Sequence, residues 1–147
     1  MANQPWWRNA VIYQVYVRSF ADGNGDGAGD LIGLLEHLDY IASLGVDGVW
    51  LNPCYPSPQM DHGYDVSDYF NIEPTYGDLD IFDQLISRAN KLGLRILMDV
   101  VPNHCSDQHA WFTEAVAAGR GSKERHTPSG PHRTRSSRSR SDSCVGR

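Results

Sequence analysis

Apolar and polar positions alternate along this chain in two different periods. Ala10-Val-Ile-Tyr-Gln-Val-Tyr-Val17 is a run of β-branched and aromatic residues, too apolar to leave one face wet, and reads as a strand covered on both sides. Beyond an acidic glycine loop from Asp22 to Asp30, the period changes to that of a helix. Leu31, Leu34, Leu35, Leu38, Ile41, Ala42 and Leu44 share one face, with Asp30 placed as N-cap and Gly45 as the stop. Gly48-Val-Trp-Leu51 predicts a second buried strand, closed by Asn52 and Pro53. The stretch from Pro53 to Gly77 is longer than a mere connection and is either functional or disordered; Tyr55, Tyr64, Tyr69 and Tyr76 argue for order. Asp78 then caps a helix with Phe82, Leu85, Ile86, Ala89 and Leu92 on its apolar face, Gly93 stops it, and Leu94 to Met98 predicts a third strand. A further helix begins over Ala110 to Ala118.

Strand and helix alternate three times, with a weak repeat in which Leu44-Gly45 and Leu92-Gly93, their glycines 48 residues apart, each precede a strand. Such units require parallel strands joined by right-handed crossovers, in a doubly wound sheet or a closed barrel, and spacing leaves both open. Charge divides the chain. Residues 1–119 carry 5 basic and 16 acidic side chains, whereas residues 120–147 carry 8 basic and 2 acidic ones. This last segment holds seven Ser and seven Arg and lacks Leu, Ile, Met, Phe, Trp and Tyr, a composition that predicts disorder because little apolar burial offsets the entropy of ordering it. With 40% hydrophobic residues the rest belongs to an ordinary globular protein. The sequence shows neither a membrane-length apolar stretch nor a basic leader, so a cytoplasmic location is expected. Cys54, Cys105 and Cys144 are odd in number and form no C-x-x-C pair, which argues against a disulfide framework or a zinc site and for free thiols.

In parallel α/β folds ligands gather at the carboxyl ends of the strands, which singles out three loops. In the first, Asp22, Asn24, Asp26 and Asp30 place side-chain oxygens at alternating positions, and the Ala28 carbonyl adds another, so that the loop can wrap a hard cation such as calcium. The alternative is a flexible acidic turn that ends in an N-cap. The second loop offers Asp61-His62-Gly63-Tyr64-Asp65, then Asp68 and Tyr69; carboxylates beside tyrosines suit a sugar, although both residue types are also common in turns. In the third, Asp99 and Asn103-His104 bring a carboxylate and an imidazole to one strand mouth, where the histidine is either chemical or a hydrogen-bonded structural group.

Asp99-Val-Val-Pro-Asn-His104 resembles the first signature of the α-amylase superfamily, glycoside hydrolase family 13. Trp7-Arg-Asn-Ala-Val-Ile-Tyr-Gln-Val-Tyr-Val-Arg-Ser-Phe20, the acidic loop and Gly63-Tyr-Asp-Val-Ser-Asp-Tyr69 resemble its α-glucosidase and oligo-1,6-glucosidase branch, and the likeness runs from about Trp6 to about Arg125. The resemblance implies a (β/α)8 TIM barrel, here an incomplete one of the first three β/α units. It implies cleavage or transfer of α-glucosyl groups with retention, by an aspartate nucleophile after the fourth strand, a glutamate acid/base after the fifth and an aspartate stabiliser after the seventh. None of those three falls in the matching portion. What carries over is substrate binding and support: Asp61 would close the pocket for the non-reducing glucose, Tyr64 would stack on that ring, His104 would hydrogen-bond its hydroxyls, and Asp99 would orient an arginine beside the nucleophile. Asn103 matches a calcium-binding residue of many amylases, a site usually absent from the glucosidase branch, so a structural Ca2+ falls instead to Asp22, Asn24, Asp26, the Ala28 carbonyl and Asp30; no organic cofactor is implied.

These readings give a catalytic-barrel portion over 1–125 and an Arg/Ser-rich tail over 126–147. Relatives continue past Arg125 with a Tyr-x-Phe-Arg-like segment, which a shifted reading frame over Arg125 to Pro131 would permit, so a frameshift origin is expected for the tail. The expected parent is a retaining α-glucosidase acting on small α-linked gluco-oligosaccharides, with the 147-residue chain alone inactive and aggregation-prone because three strands leave open edges. One rival is a trehalose- or sucrose-converting transglycosylase or isomerase of the same family. The other is a non-catalytic fragment that binds nucleic acid through its basic tail, disfavoured because the tail lacks aromatic stacking groups. No membrane partner is expected.

Overall fold

The computed structural model describes residues 4–119. The Arg- and Ser-rich segment, its expected disorder and the boundary placed at residue 125 lie outside the described residues, as does Cys144.

Helix formation follows the local signals closely. In α2 (Leu31–Ser43) the Asp30 carboxylate accepts the Gly33 amide, and Leu31, Leu34, Leu38 and Ile41 are fully buried. In α3 (Leu79–Lys91) Asp78 accepts the Ile81 amide at 2.9 Å, and Leu85 and Ala89 turn inward. Each helix ends at a glycine in the left-handed region, Gly45 at φ 75° and Gly93 at φ 77°, where a Cβ would be strained. Gly33 sits inside α2 for a different reason: a Cβ there would lie 2.2 Å from the Ala21 carbonyl oxygen, so the close approach of the acidic loop to the helix requires its absence. α4 (Ala110–Ala117) is capped by an imidazole, the Nδ1 of His109 accepting the Trp111 amide at 3.1 Å.

Three four-residue strands, β1 (Ile12–Val15), β2 (Gly48–Leu51) and β3 (Arg95–Met98), form a parallel sheet in the order β1-β2-β3. Gln14, Trp50 and Leu97 share one rung of its register. Tyr13, Val15, Val49, Leu51, Ile96 and Met98 belong to the apolar cluster built with α2 and α3. Strand, crossover helix, parallel strand, twice over and without a change of direction, is the start of a (β/α)8 barrel. α2 and α3 lie on its outer face.

Two expectations are corrected. The first strand does not run from Ala10 to Val17: it stops at Val15, and Val17–Phe20 turn into the short helix α1. The ladder ends where Asn52 donates to the Val15 carbonyl (3.0 Å); beyond it the Tyr16 carbonyl accepts the Ser19 amide at 3.1 Å and the Arg18 carbonyl accepts the Gly29 amide at 2.7 Å, so the chain turns onto partners outside the sheet. Nor is the sheet covered on both sides among the described residues. Its second face carries Gln14, which is exposed, and Trp50, which is 37% exposed, because α2 and α3 pack on the other side.

Candidate functional site

The carboxyl end of the sheet is roofed by the loop of residues 52–78, and this loop is ordered by its tyrosines. Tyr55 donates to the Asp99 carbonyl (3.0 Å). Tyr69 lies 2.8 Å from the carbonyls of both Val101 and His104, between which its single hydroxyl proton is shared. Tyr76 is buried, and its carbonyl accepts the first amide of α2, from Leu31. At the loop tip, Asp65 accepts from the Ser57 hydroxyl and the Met60 amide. Burial pushes its carboxyl up, but these hydrogen bonds outweigh it and hold Asp65 below the ordinary carboxylate range.

Of the four residues read as substrate-binding or supporting, three meet at the mouth of β3. The Tyr64 hydroxyl donates to Asp99 Oδ2 at 2.7 Å, and His104 Nε2 lies 3.0 Å from the Tyr64 carbonyl. Donation to the carboxylate, then burial, raises the phenol above its usual range. Asp61 joins through its backbone, its carbonyl accepting the Tyr64 amide at 2.9 Å, while its side chain is exposed. Positive φ at His62 (52°) and Gly63 (97°) turns the chain back on itself between Asp61 and Tyr64, closed by that Tyr64–Asp61 hydrogen bond. The arrangement brings a phenol ring, acidic acceptors and an imidazole together at one strand mouth, the groups that hold a pyranose by stacking and hydrogen bonding.

The acidic loop lies beside β1. Asp22 accepts the amides of Gly25 and Gly27, Asn24 accepts that of Asp26, and Asp26 accepts that of Ala28. Asp30 is almost wholly buried and accepts from Gly23, Asn24 and Gly33. The donor chemistry, oxygen throughout, fits a hard cation. The side-chain placement does not: the carboxylates bond to amides of their own loop, and among the described residues no three His, Cys, Asp or Glu side chains converge as a metal-holding group.

The sequence matches the family described as alpha amylase, catalytic domain, over residues 14–135. This chain belongs to the alpha-amylase family. It is 58% identical over 111 residues to trehalose-6-phosphate hydrolase of Escherichia coli (strain K12), a match that covers 76% of this chain and 20% of that protein. To glucan 1,6-alpha-glucosidase of Streptococcus pneumoniae it is 54% identical over 112 residues, with 76% of this chain and 21% of the relative covered. The crystal structure of the alpha-glucosyl transfer enzyme XgtA superposes with a TM-score of 0.75 at 54% identity, over 76% of this chain and 21% of that one. The chain thus spans about a fifth of the length of the relatives it matches, and its three parallel strands are those of an incomplete TIM barrel.

The sequence points to Asn52 as the end of β2 and to Tyr69 in the second loop, but not to their contacts at the strand mouth, nor to any part for His109 and Trp111. Asn52 bridges Gln14, whose Nε2 donates to its Oδ1 at 3.0 Å, and the Tyr64 hydroxyl, 3.3 Å from its Nδ2. Its place at the carboxyl end of β2 was the available signal. Tyr69 stacks on Trp111 with centroids 5.8 Å apart, and His109 sits 4.4 Å from Trp111, an aromatic group that anchors α4 to the loop. Nothing in the spacing of Tyr69 and Trp111 announces that contact. Cys54 is buried in the floor beneath, and burial pushes its thiol up to about 12, which makes it an inert packing group.

Proposed function

We propose that this chain supplies the first three strands of a retaining α-glucosidase barrel and one wall of its glucose pocket. The observation that carries the reading is the convergence of Tyr64 on the Asp99 carboxylate, with His104 against the Tyr64 carbonyl, at the carboxyl end of β3. Tyr64 packs on the face of a terminal glucose, Asp61 and His104 take its hydroxyls, and Asp99 holds the phenol while it orients a cationic partner. In this reading the nucleophile, acid/base and stabiliser come from the fourth, fifth and seventh strands of the barrel, and the substrate is a short α-linked gluco-oligosaccharide. The names of the Escherichia coli and Streptococcus relatives support hydrolysis. Similarity to an alpha-glucosyl transfer enzyme supports a second reading in which the glucosyl group passes to a sugar hydroxyl instead of water.

The test is a hybrid in which residues 6–119 of this chain replace the matching segment of the Streptococcus glucan 1,6-alpha-glucosidase, assayed on a chromogenic α-glucoside. Hydrolysis by the hybrid, with at least about a tenfold loss of kcat/KM in D61A and Y64A (~1.4 kcal/mol each), is the expected result. A folded hybrid without activity overturns the reading. Products richer in disaccharide than in free glucose favour transfer.

The same reading includes a structural calcium on Asp22, Asn24, Asp26, the Ala28 carbonyl and Asp30, supported by their oxygen-only donor set and opposed by the present turn of their side chains. Calcium should raise the melting temperature over that in EDTA, and identical values would exclude the site. A cytoplasmic location belongs to it too, supported by the free buried thiols of Cys54 and Cys105. Among the described residues no helix is long and apolar enough to cross a membrane.

A further inference from the structure

Gln14, Asn52, Tyr64 and Asp99 form one chain of hydrogen bonds that crosses all three strands, from β1 through the end of β2 and its loop to the end of β3. Its direction is fixed from the charged end. A carboxylate only accepts, so the Tyr64 hydroxyl must donate to Asp99 Oδ2. That spends the phenol's one proton, and its oxygen must receive from Asn52 Nδ2; Asn52 Oδ1 is thereby turned to Gln14, whose Nε2 must donate. The amide orientations follow from the acid without further choice.

We propose that Gln14 and Asn52 are positioning residues, which hold the Tyr64 hydroxyl on Asp99 and so fix the ring and the carboxylate for sugar binding. The proposal rests on the glucosidase reading for its purpose, not for its geometry. Gln14 lies on the sheet face away from α2 and α3, the face a complete barrel turns inward, and its Nε2 stands 3.0 Å from Asn52 Oδ1, through which its amide acts. Replacing Gln14 by glutamate keeps the shape and removes the donor. Asn52 then turns its amide nitrogen to the new carboxylate and its oxygen to Tyr64, which leaves two acceptors competing for one phenol proton. Lysine at position 14 changes the shape and keeps the donor.

The experiment is a titration of the full 147-residue chain with 13Cζ-labelled tyrosine, the Tyr64 signal being assigned by its loss in Y64F. In Q14E the Tyr64 midpoint should move up, because the phenolate loses the amide N–H that stabilised it; in Q14K it should stay near the wild-type position. Because the new carboxylate by itself also repels the phenolate, the Q14E shift is compared with the shift that Q14E causes on an N52A background, where the charge is kept and the relay is cut; an unmoved midpoint in Q14E, or equal shifts on the two backgrounds, overturns the proposal. N52D, which also can only accept, provides the second variant should Q14E not fold, with the same upward shift expected and a wild-type midpoint refuting. In the hybrid enzyme Q14E should raise KM more than it lowers kcat and more than Q14K does. A hybrid inactive with the unaltered segment overturns the glucosidase reading alone, since the phenol titration still decides the relay.

Discussion

Asp30 and Asp78 occupy the same local position, each capping a thirteen-residue helix by accepting the amide three residues on, and yet their removal should differ in cost. Asp78 is exposed, and water replaces its carboxylate when it is cut back to alanine; the loss is that of an ordinary cap, about 1 kcal/mol. Asp30 is 1% exposed and accepts three amides, from Gly33 at 2.7 Å and from Gly23 and Asn24 at 3.1 Å each. D30A therefore removes the cap and leaves the buried Gly33 amide without water to replace it, which adds roughly 1–3 kcal/mol to the cap itself, for a total of roughly 2–4 kcal/mol. It also releases the acidic loop from α2. Urea unfolding of the chain followed by tryptophan fluorescence, in EDTA so that no cation is linked to the loop, measures both variants on one scale. D30N, which retains one acceptor oxygen, should fall between D30A and wild type. If D30A cost no more than D78A, burial of the cap would be shown to carry no weight and the reasoning would fail.

Three further outcomes are expected. His109 is buried, and desolvation holds its imidazole below the ordinary range although the carboxylates of Asp68 and Glu114 oppose that shift. The unfolded chain therefore binds the proton first as pH falls: the contribution of neutral His109 is present above about pH 6.5 and is lost as pH drops toward its folded value. Amide exchange in α4 should speed up on that descent, and H109N, which keeps an acceptor without titrating there, should flatten the dependence. Y69F removes the hydroxyl shared by Val101 and His104 and should cost about 1 kcal/mol, with faster exchange confined to residues 99–108; unchanged exchange there would refute the assigned bonds. The Arg88–Asp39 ion pair joins α3 to α2 on the exposed surface, so a double-mutant cycle on D39A and R88A should show a small coupling that disappears in high salt.

Much of this fold is written locally. Asp30, Asp78, Gly45 and Gly93 mark helix ends because a cap acts over three residues and a left-handed glycine on its own backbone. The apolar faces of α2 and α3 are legible for the same reason, since a period of 3.6 is a property of consecutive residues. Strand limits are not local. β1 gives way after Val15 to a turn whose Arg18 carbonyl is held by the Gly29 amide, eleven residues later, and no inspection of Tyr16-Val17 discloses that.

The candidate site divides along the same line. Asp61, Tyr64, Asp99 and His104 stand out in sequence as carboxylate, phenol and imidazole in loops at strand ends, where a parallel sheet gathers its ligands. That Tyr64 donates to Asp99, that Asn52 lies between Gln14 and the phenol, and that Tyr69 closes the third loop are decided only when β1, β2 and β3 lie side by side. The sequence by itself determined which elements form and which residue types face the strand mouths, because caps, periods and turns are settled within a few residues. Tertiary structure decided which side chains meet, because hydrogen bonds between residues 35 and 38 positions apart exist only once the sheet register has brought their strands together.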